Sequence, residues 1–102
     1  MEDITVQELK HKLEQKEDFI LIDVREIYEH TDFNIGGELA SLQTGLPYKI
    51  EELKNKSDQE IIVYCRSGNR SGMAKQMFET AGFKNVRNLL GGMLAWREAF
   101  PS

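Results

Sequence analysis

The chain has 102 residues, a single cysteine, and 13 Lys+Arg against 17 Asp+Glu, for a formal charge of -4. That length without a Pro/Gly/Ser-rich linker predicts one domain over residues 1–102, with a hydrophobic core of ordinary size. The acidic balance argues against a nucleic-acid or anionic-membrane surface, so any anion binding has to be local. One thiol excludes an internal disulfide and offers no partner for a C-x-x-C redox or metal pair. The charged start, MEDITVQELKHKLEQKEDF, lacks the apolar core of a secretory signal, and no run approaches the roughly 18 to 20 apolar residues of a membrane span. A soluble, cytoplasmic protein is the expectation. His11 and His30 fall in no cluster with metal-ligand spacing and read as surface side chains.

In chain order, TVQELKHKL places Glu8 three residues after Thr5, the capping-box spacing, and Val6, Leu9 and Leu13 follow at helical intervals, predicting a helix over 5–16. DFILIDV is a continuous apolar run ending in a carboxylate, the pattern of a strand buried on both faces. REIYEH reads as a short helical turn, and residues 31–45, with Gly36, Gly37 and Gly45, as irregular chain containing a brief strand. LPYKIEELKN starts a helix near Pro47. IIVYC is a second buried strand, and a helix begins near Arg70, with Met73, Met77 and Phe78 expected on its core face and Gly82 at its end. NVRNLL is a third strand and GGMLAWREAF a last helix closed by Pro101. Strands alternating with helices imply parallel strands joined by helical crossovers: an α/β sandwich, one small, mostly parallel sheet with helices on both faces. In such sheets ligands bind at the carboxyl ends of the strands, where both ILIDVRE and IIVYCRSGNRS finish.

The segment CRSGNR joins the second strand to its helix. Backbone N–H groups of a tight glycine-containing loop at a helix amino terminus form an anion site, because the donors are unpaired and the helix dipole favours negative charge. Arg66 and Arg70 flank the thiol and no acidic residue occurs from 61 to 78, so the local field is expected to be cationic. Such surroundings lower a thiol pKa and make Cys65 a nucleophile. A lone cysteine after an apolar strand is commonly just a small buried hydrophobe. The donors that follow this one favour chemistry.

CRSGNRSGMA resembles the active-site loop and following helix of single-domain rhodaneses, the thiosulfate:cyanide sulfurtransferases and their relatives. LIDVREIYEH is similar to that family's Asp-Val-Arg-Glu segment, and NLLGGMLAW to its Gly-Gly-x-x-x-Trp segment. The resemblance implies the rhodanese-like three-layer sandwich. It also implies a mechanism in which Cys65 takes the outer sulfur of thiosulfate or another sulfane donor, holds it as a persulfide, and yields it to a thiol or cyanide, or to a protein acceptor. Arg66, Ser67, Gly68, Asn69, Arg70 and Ser71 would bind the donor and the persulfide, with neither metal nor organic cofactor. Asp23 and Arg25, matching Asp-Val-Arg, would brace the cysteine loop, unless Asp23 merely caps the REIYEH turn. Gly91, Gly92 and Trp96 are read as helix start and core packing.

The pattern fails where rhodaneses usually read Gly-His-Ile-x-Gly-Ala before an Asn-Ile-Pro stretch. This chain has FNIGGELASLQTG, with Phe33 and Asn34 in place of the glycine and histidine and Glu38 in place of the alanine. That segment often borders the active-site rim in the family, so the resemblance implies unusual access or acceptor choice here. Two rival functions stand beside sulfur transfer. Phosphatases and arsenate reductases place five residues between cysteine and arginine, whereas RSGN places four here, a cup sized for sulfur. A non-catalytic binding or regulatory module is the other, against which the retained cysteine and loop arginines argue.

Overall fold

Two short aliphatic runs, ILID and IIVY, make the centre of the sheet because β-branched side chains on both faces suit a strand covered on both sides. The computed structural model of the protein describes residues 1–101; Ser102 lies outside the described residues. Strand β1 (Ile20–Asp23) pairs in parallel with β3 (Ile61–Tyr64), from Ile20 opposite Ile61 to Asp23 opposite Tyr64. Strand β2 (Glu38–Leu39) adds outside β1 and β4 (Val86–Asn88) outside β3, giving the order β2-β1-β3-β4 with every pairing parallel. A single parallel bridge from Ile4 to Leu89 extends the β4 edge.

Side-chain alternation sorts the core into two layers. Ile61, Val63 and Cys65 face one side with Ala74, Phe78 and Phe83, beneath α3 (Leu46–Glu52) and α4 (Asn69–Thr80). Ile62 and Tyr64 face the other with Leu9, Met93 and Trp96, beneath α1 (Val6–Glu14) and α5 (Gly92–Ala99). Residues 61–64 are all fully buried, each aliphatic stabilising the fold by about 1.5–3 kcal/mol. This is the three-layer arrangement anticipated from the sequence. It sets Cys65, next in phase after Val63, at the carboxyl end of a central strand and under α4. Helix α2 (Ile27–Asp32) buries no residue and follows the carboxyl end of β1. No helix among the described residues is long and apolar enough to cross a membrane.

Local expectations fared unevenly. Thr5 caps α1 by accepting from the Glu8 N–H at 3.1 Å, but the Glu8 carboxylate turns to Arg87 rather than back to the cap. The reciprocal capping box occurs instead on α2, between Glu26 and Glu29. Met73 and Met77 are not core residues: they are 57% and 36% exposed, while Ser71, Ala74 and Phe78 form the buried stripe of α4. The rotation follows from the start of the helix. With Ser71 drawn inward to Cys65, the i+3 and i+7 positions fall on Ala74 and Phe78, and the methionines move to the flank beside Pro47 and Ile50.

Candidate active site

Residues 65–71 wrap around the cysteine sulfur. Gly68 adopts φ +107, a left-handed conformation open to glycine, and turns the chain so that its N–H donates to Cys65 Sγ at 3.0 Å. Helix α4 then begins at Asn69, with its first free amides directed at the same region. Cys65 is only 1% exposed. Burial alone pushes its thiol pKa up, but the Ser71 hydroxyl and the backbone N–H groups of Ser71, Gly68 and Ser67 outweigh it, and the net shift is downward. Of the loop amides and arginines expected to lower it, the hydrogen-bond donors of the loop carry the shift. Ser67 and Asn69 are exposed on the loop and at the first position of α4, and Ser71 is fully buried.

Two neighbours that the sequence did not single out fix this loop. Asn88, at the end of β4, donates from Nδ2 to the Gly68 carbonyl at 3.1 Å, which leaves its Oδ1 facing Ser71 Oγ. The first turn of α5 approaches from the other side. Met93 and Leu94 N–H groups donate to the carbonyls of Cys65 and Arg66, both at 3.0 Å. The loop is therefore held by a β4 amide and by the start of a helix, both remote in sequence. Only the Gly-Gly pair carried a signal of the second contact.

Ser71 has one hydroxyl proton and two acceptors, Asn88 Oδ1 at 2.5 Å and Cys65 Sγ at 3.3 Å. The two acceptors compete for it, and Asn88 Oδ1 draws it partly away from the sulfur. Substituting Asn88→Ala frees that proton for the thiolate, so the midpoint of Cys65 ionisation should fall below the wild-type value, and Ser71→Ala in the same background should reverse the fall. Ultraviolet thiolate absorbance against pH reads this; a higher midpoint in Asn88→Ala would contradict the assignment.

The arginines behave differently from one another. Arg70 is engaged in a forked pair with Glu29 of α2, Nη1 to Oε1 at 2.7 Å and Nη2 to Oε2 at 3.0 Å. Its charge still lies near the sulfur but is matched by a carboxylate from another element, so the field is less cationic than residues 61–78 alone suggest. Arg66 is exposed and has no ion-pair partner among the described residues. Both arginines, with Tyr28, Leu42 and Met73, line a cleft of about 540 Å³ above the loop. The Arg70 hydrogen bonds hold the Glu29 carboxyl down at about 2, from an ordinary value of 4.5. Because the folded pKa is the lower, its stabilisation is complete above pH 4.5 and is lost as pH falls toward 2. Acid unfolding should accordingly show a stability gap between wild type and Glu29→Gln that is constant at neutral pH and closes over that window. A gap unchanged at pH 2 would show that the pair does not stabilise the fold.

Asp23 and Arg25 form a buried forked pair, Nε to Oδ1 at 2.9 Å and Nη2 to Oδ2 at 2.8 Å. Burial raises the Asp23 pKa, but bonds from Arg25 and His30 bring it below the ordinary range. Neither residue of the pair makes a hydrogen bond or ion pair with residues 65–71. Arg25 Nη2 also donates to the Phe33 carbonyl at 2.6 Å, so its job is to hold the divergent segment after α2, while Glu26, not Asp23, caps that helix. His30, read as a plain surface histidine, is half-buried with Nδ1 2.9 Å from Asp23 Oδ2.

The comparisons with known proteins agree with this geometry. The family model for the rhodanese-like domain matches residues 5–99. YtwF of Bacillus subtilis is 38% identical over 96 residues, covering 94% of this chain and 90% of that one. A protein of Allochromatium vinosum named sulfurtransferase is 32% identical over 100 residues, covering 97% of this chain and 92% of its own. The solution structure of the rhodanese-like domain of Anabaena Alr3790 superimposes with a TM-score of 0.85 at 26% identity, over 96% of this chain and 74% of that one. Sequence, topology and the cysteine loop converge: the chain belongs to the rhodanese-like domain family.

Proposed function

We propose that the protein is a sulfurtransferase in which Cys65 carries a sulfane sulfur as a persulfide between a donor and an acceptor. The observation that carries the reading is the Cys65 sulfur accepting the Gly68 N–H at 3.0 Å inside a loop that leads into a helix. In the first half-reaction the thiolate attacks the outer sulfur of thiosulfate. The S–S bond of the donor breaks with its electron pair on the departing sulfite: Cys65–S⁻ plus S₂O₃²⁻ gives Cys65–S–S⁻ plus SO₃²⁻. The amides that lower the thiol pKa then face the negative charge of the persulfide, an electrostatic stabilisation already in place before reaction. Arg66, exposed at the cleft, attracts the donor's sulfonate oxygens, and Arg70 sets the rim through Glu29. A thiol, cyanide or a protein acceptor takes the sulfur in the second half-reaction.

The near-complete burial of Cys65 supports sulfur over phosphorus as the atom transferred. A single terminal sulfur can reach the bottom of the cup, whereas a phosphoryl group needs room for three oxygens and a free arginine to hold them. Arg70, which would have to be that arginine, is engaged by Glu29. The test is steady-state turnover with thiosulfate and cyanide alongside hydrolysis of an aryl phosphate. The reading predicts thiocyanate formation and no phosphate release; phosphate release without thiocyanate, with every sulfane donor tried, would replace it with phosphatase chemistry.

A further inference from the structure

Phe33, which departs from the family pattern, lies against the guanidinium of Arg97, one of the residues that line a second and smaller cleft beside the cysteine loop. This cleft of about 180 Å³ is lined by Arg25, Asp32, Arg66 and Arg97, with Met93 and Leu94 beneath them, and it shares Arg66 and Glu29 with the larger cleft. Met93 and Leu94 are the residues whose N–H groups hold the Cys65 and Arg66 carbonyls, so the floor of the cleft is the back of the loop. The volume is below the roughly 300 Å³ of sites that enclose a drug-sized ligand, so it admits a head group rather than a whole molecule.

Its charges are only partly matched. Arg25 is more than nine-tenths buried and bonds Asp23 and the Phe33 carbonyl through Nε and Nη2, leaving Nη1 without a partner among the described residues. Glu29 is taken by Arg70. Arg66, Arg97 and Asp32 have no ion-pair partner among the described residues. Arg97 is not loose: its guanidinium lies 4.6 Å from the centroid of the Phe33 ring, a cation–π contact that holds the charge over the cleft. Two unpaired guanidinium groups and the free Nη1 against one carboxylate complement an anionic head, and Asp32 adds a place for an ammonium beside it.

We propose that this cleft docks the carboxylate of a small thiol acceptor, and that Arg97, held by Phe33, selects acidic or zwitterionic thiols over neutral ones in the second half-reaction. The proposal rests on the sulfurtransferase reading. The acceptor thiol attacks the outer sulfur of the persulfide, and the Sγ–S bond breaks with its electron pair on Cys65. The thiol proton passes to the transferred sulfur: Cys65–S–S⁻ plus R–SH gives Cys65–S⁻ plus R–S–SH. Arg66 lines both clefts, so a carboxylate docked beside it leaves the thiol within reach of the larger cleft above the loop.

The test is single-turnover discharge. Protein is loaded with thiosulfate, freed of excess donor, and discharged with 3-mercaptopropionate or 2-mercaptoethanol, the loss of about 32 Da being followed by intact mass. With rates corrected for thiol ionisation, wild type should half-saturate at about a tenfold lower concentration of the carboxylated thiol. Arg97→Gln and Phe33→Leu should raise that concentration about fivefold and leave 2-mercaptoethanol unchanged. No wild-type preference, or equal changes for both thiols, would overturn the proposal. If no donor loads the protein, the sulfurtransferase reading fails, and the cleft is judged by itself: 3-(methylthio)propionate should shift the Met93 and Leu94 amide resonances of wild type and not of Arg97→Gln. Absence of that difference would also overturn it.

Discussion

Substituting Cys65→Ser should abolish sulfur transfer, lowering the rate by at least about a thousandfold, while leaving the fold intact. The oxygen of serine fits where the sulfur sits and still accepts the Gly68 N–H, so stability should change by no more than about 1 kcal/mol. What is lost is ionisation. Amides that bring a thiol within reach of neutral pH cannot do so for an aliphatic alcohol, and an oxygen cannot carry a sulfane sulfur reversibly. Thermal unfolding followed by circular dichroism, together with the transfer assay, separates the two effects. Retained transfer would place the nucleophile elsewhere, and a large loss of stability would make Cys65 primarily a core residue, in keeping with its place beside Val63 and Ala74.

Gly92→Ala is expected to be the most damaging substitution outside the loop. Gly92 has φ +54, and a Cβ placed there would lie 2.5 Å from the Cys65 carbonyl oxygen and 2.6 Å from that of Arg66. Backbone strain adds to a contact that only a shift of α5 or of the loop can relieve. Together they should cost about 2–4 kcal/mol and lower Tm by on the order of 10 °C or more. Activity should fall as well, because the shift displaces the Met93 and Leu94 amides from the Cys65 and Arg66 carbonyls. Gly82→Ala is the control. Gly82 has φ +98, with nothing within 4 Å of its would-be Cβ, so it should lose only about 1 kcal/mol and keep full activity. Equal losses at the two positions would mean that strain alone matters and that the α5 contact does not position the cysteine.

These two glycines mark what the sequence made legible. Strand runs, the alternation of strands and helices, and the glycines that end or begin helices are local signals, and they led to the parallel three-layer sandwich with Cys65 at the carboxyl edge of β3. The loop itself was also readable, down to the turn at Gly68, because a glycine between a strand and a helix has few other uses. The partners of the loop were not. Glu29 lies 41 positions from Arg70, and Asn88 lies 17 from Ser71, and nothing in their own neighbourhoods distinguishes them from solvent-facing residues. The same limit misplaced Met73 and Met77: four-residue spacing identified a stripe, but the face turned inward was decided by the bond between Ser71 and the cysteine. Phe33 and Asn34 stood out as departures from a pattern. Their consequence, a ring under Arg97 and a carbonyl on Arg25, required the folded chain.

The central claim is that donors of residues 65–71 hold a sulfur anion on Cys65 stably enough to be passed on. Intact mass spectrometry after incubation with thiosulfate and removal of the donor measures this directly. Wild type should gain about 32 Da, discharged by cyanide, and Cys65→Ser should gain nothing. An unchanged mass with every sulfane donor, or the same gain on Cys65→Ser, would contradict it.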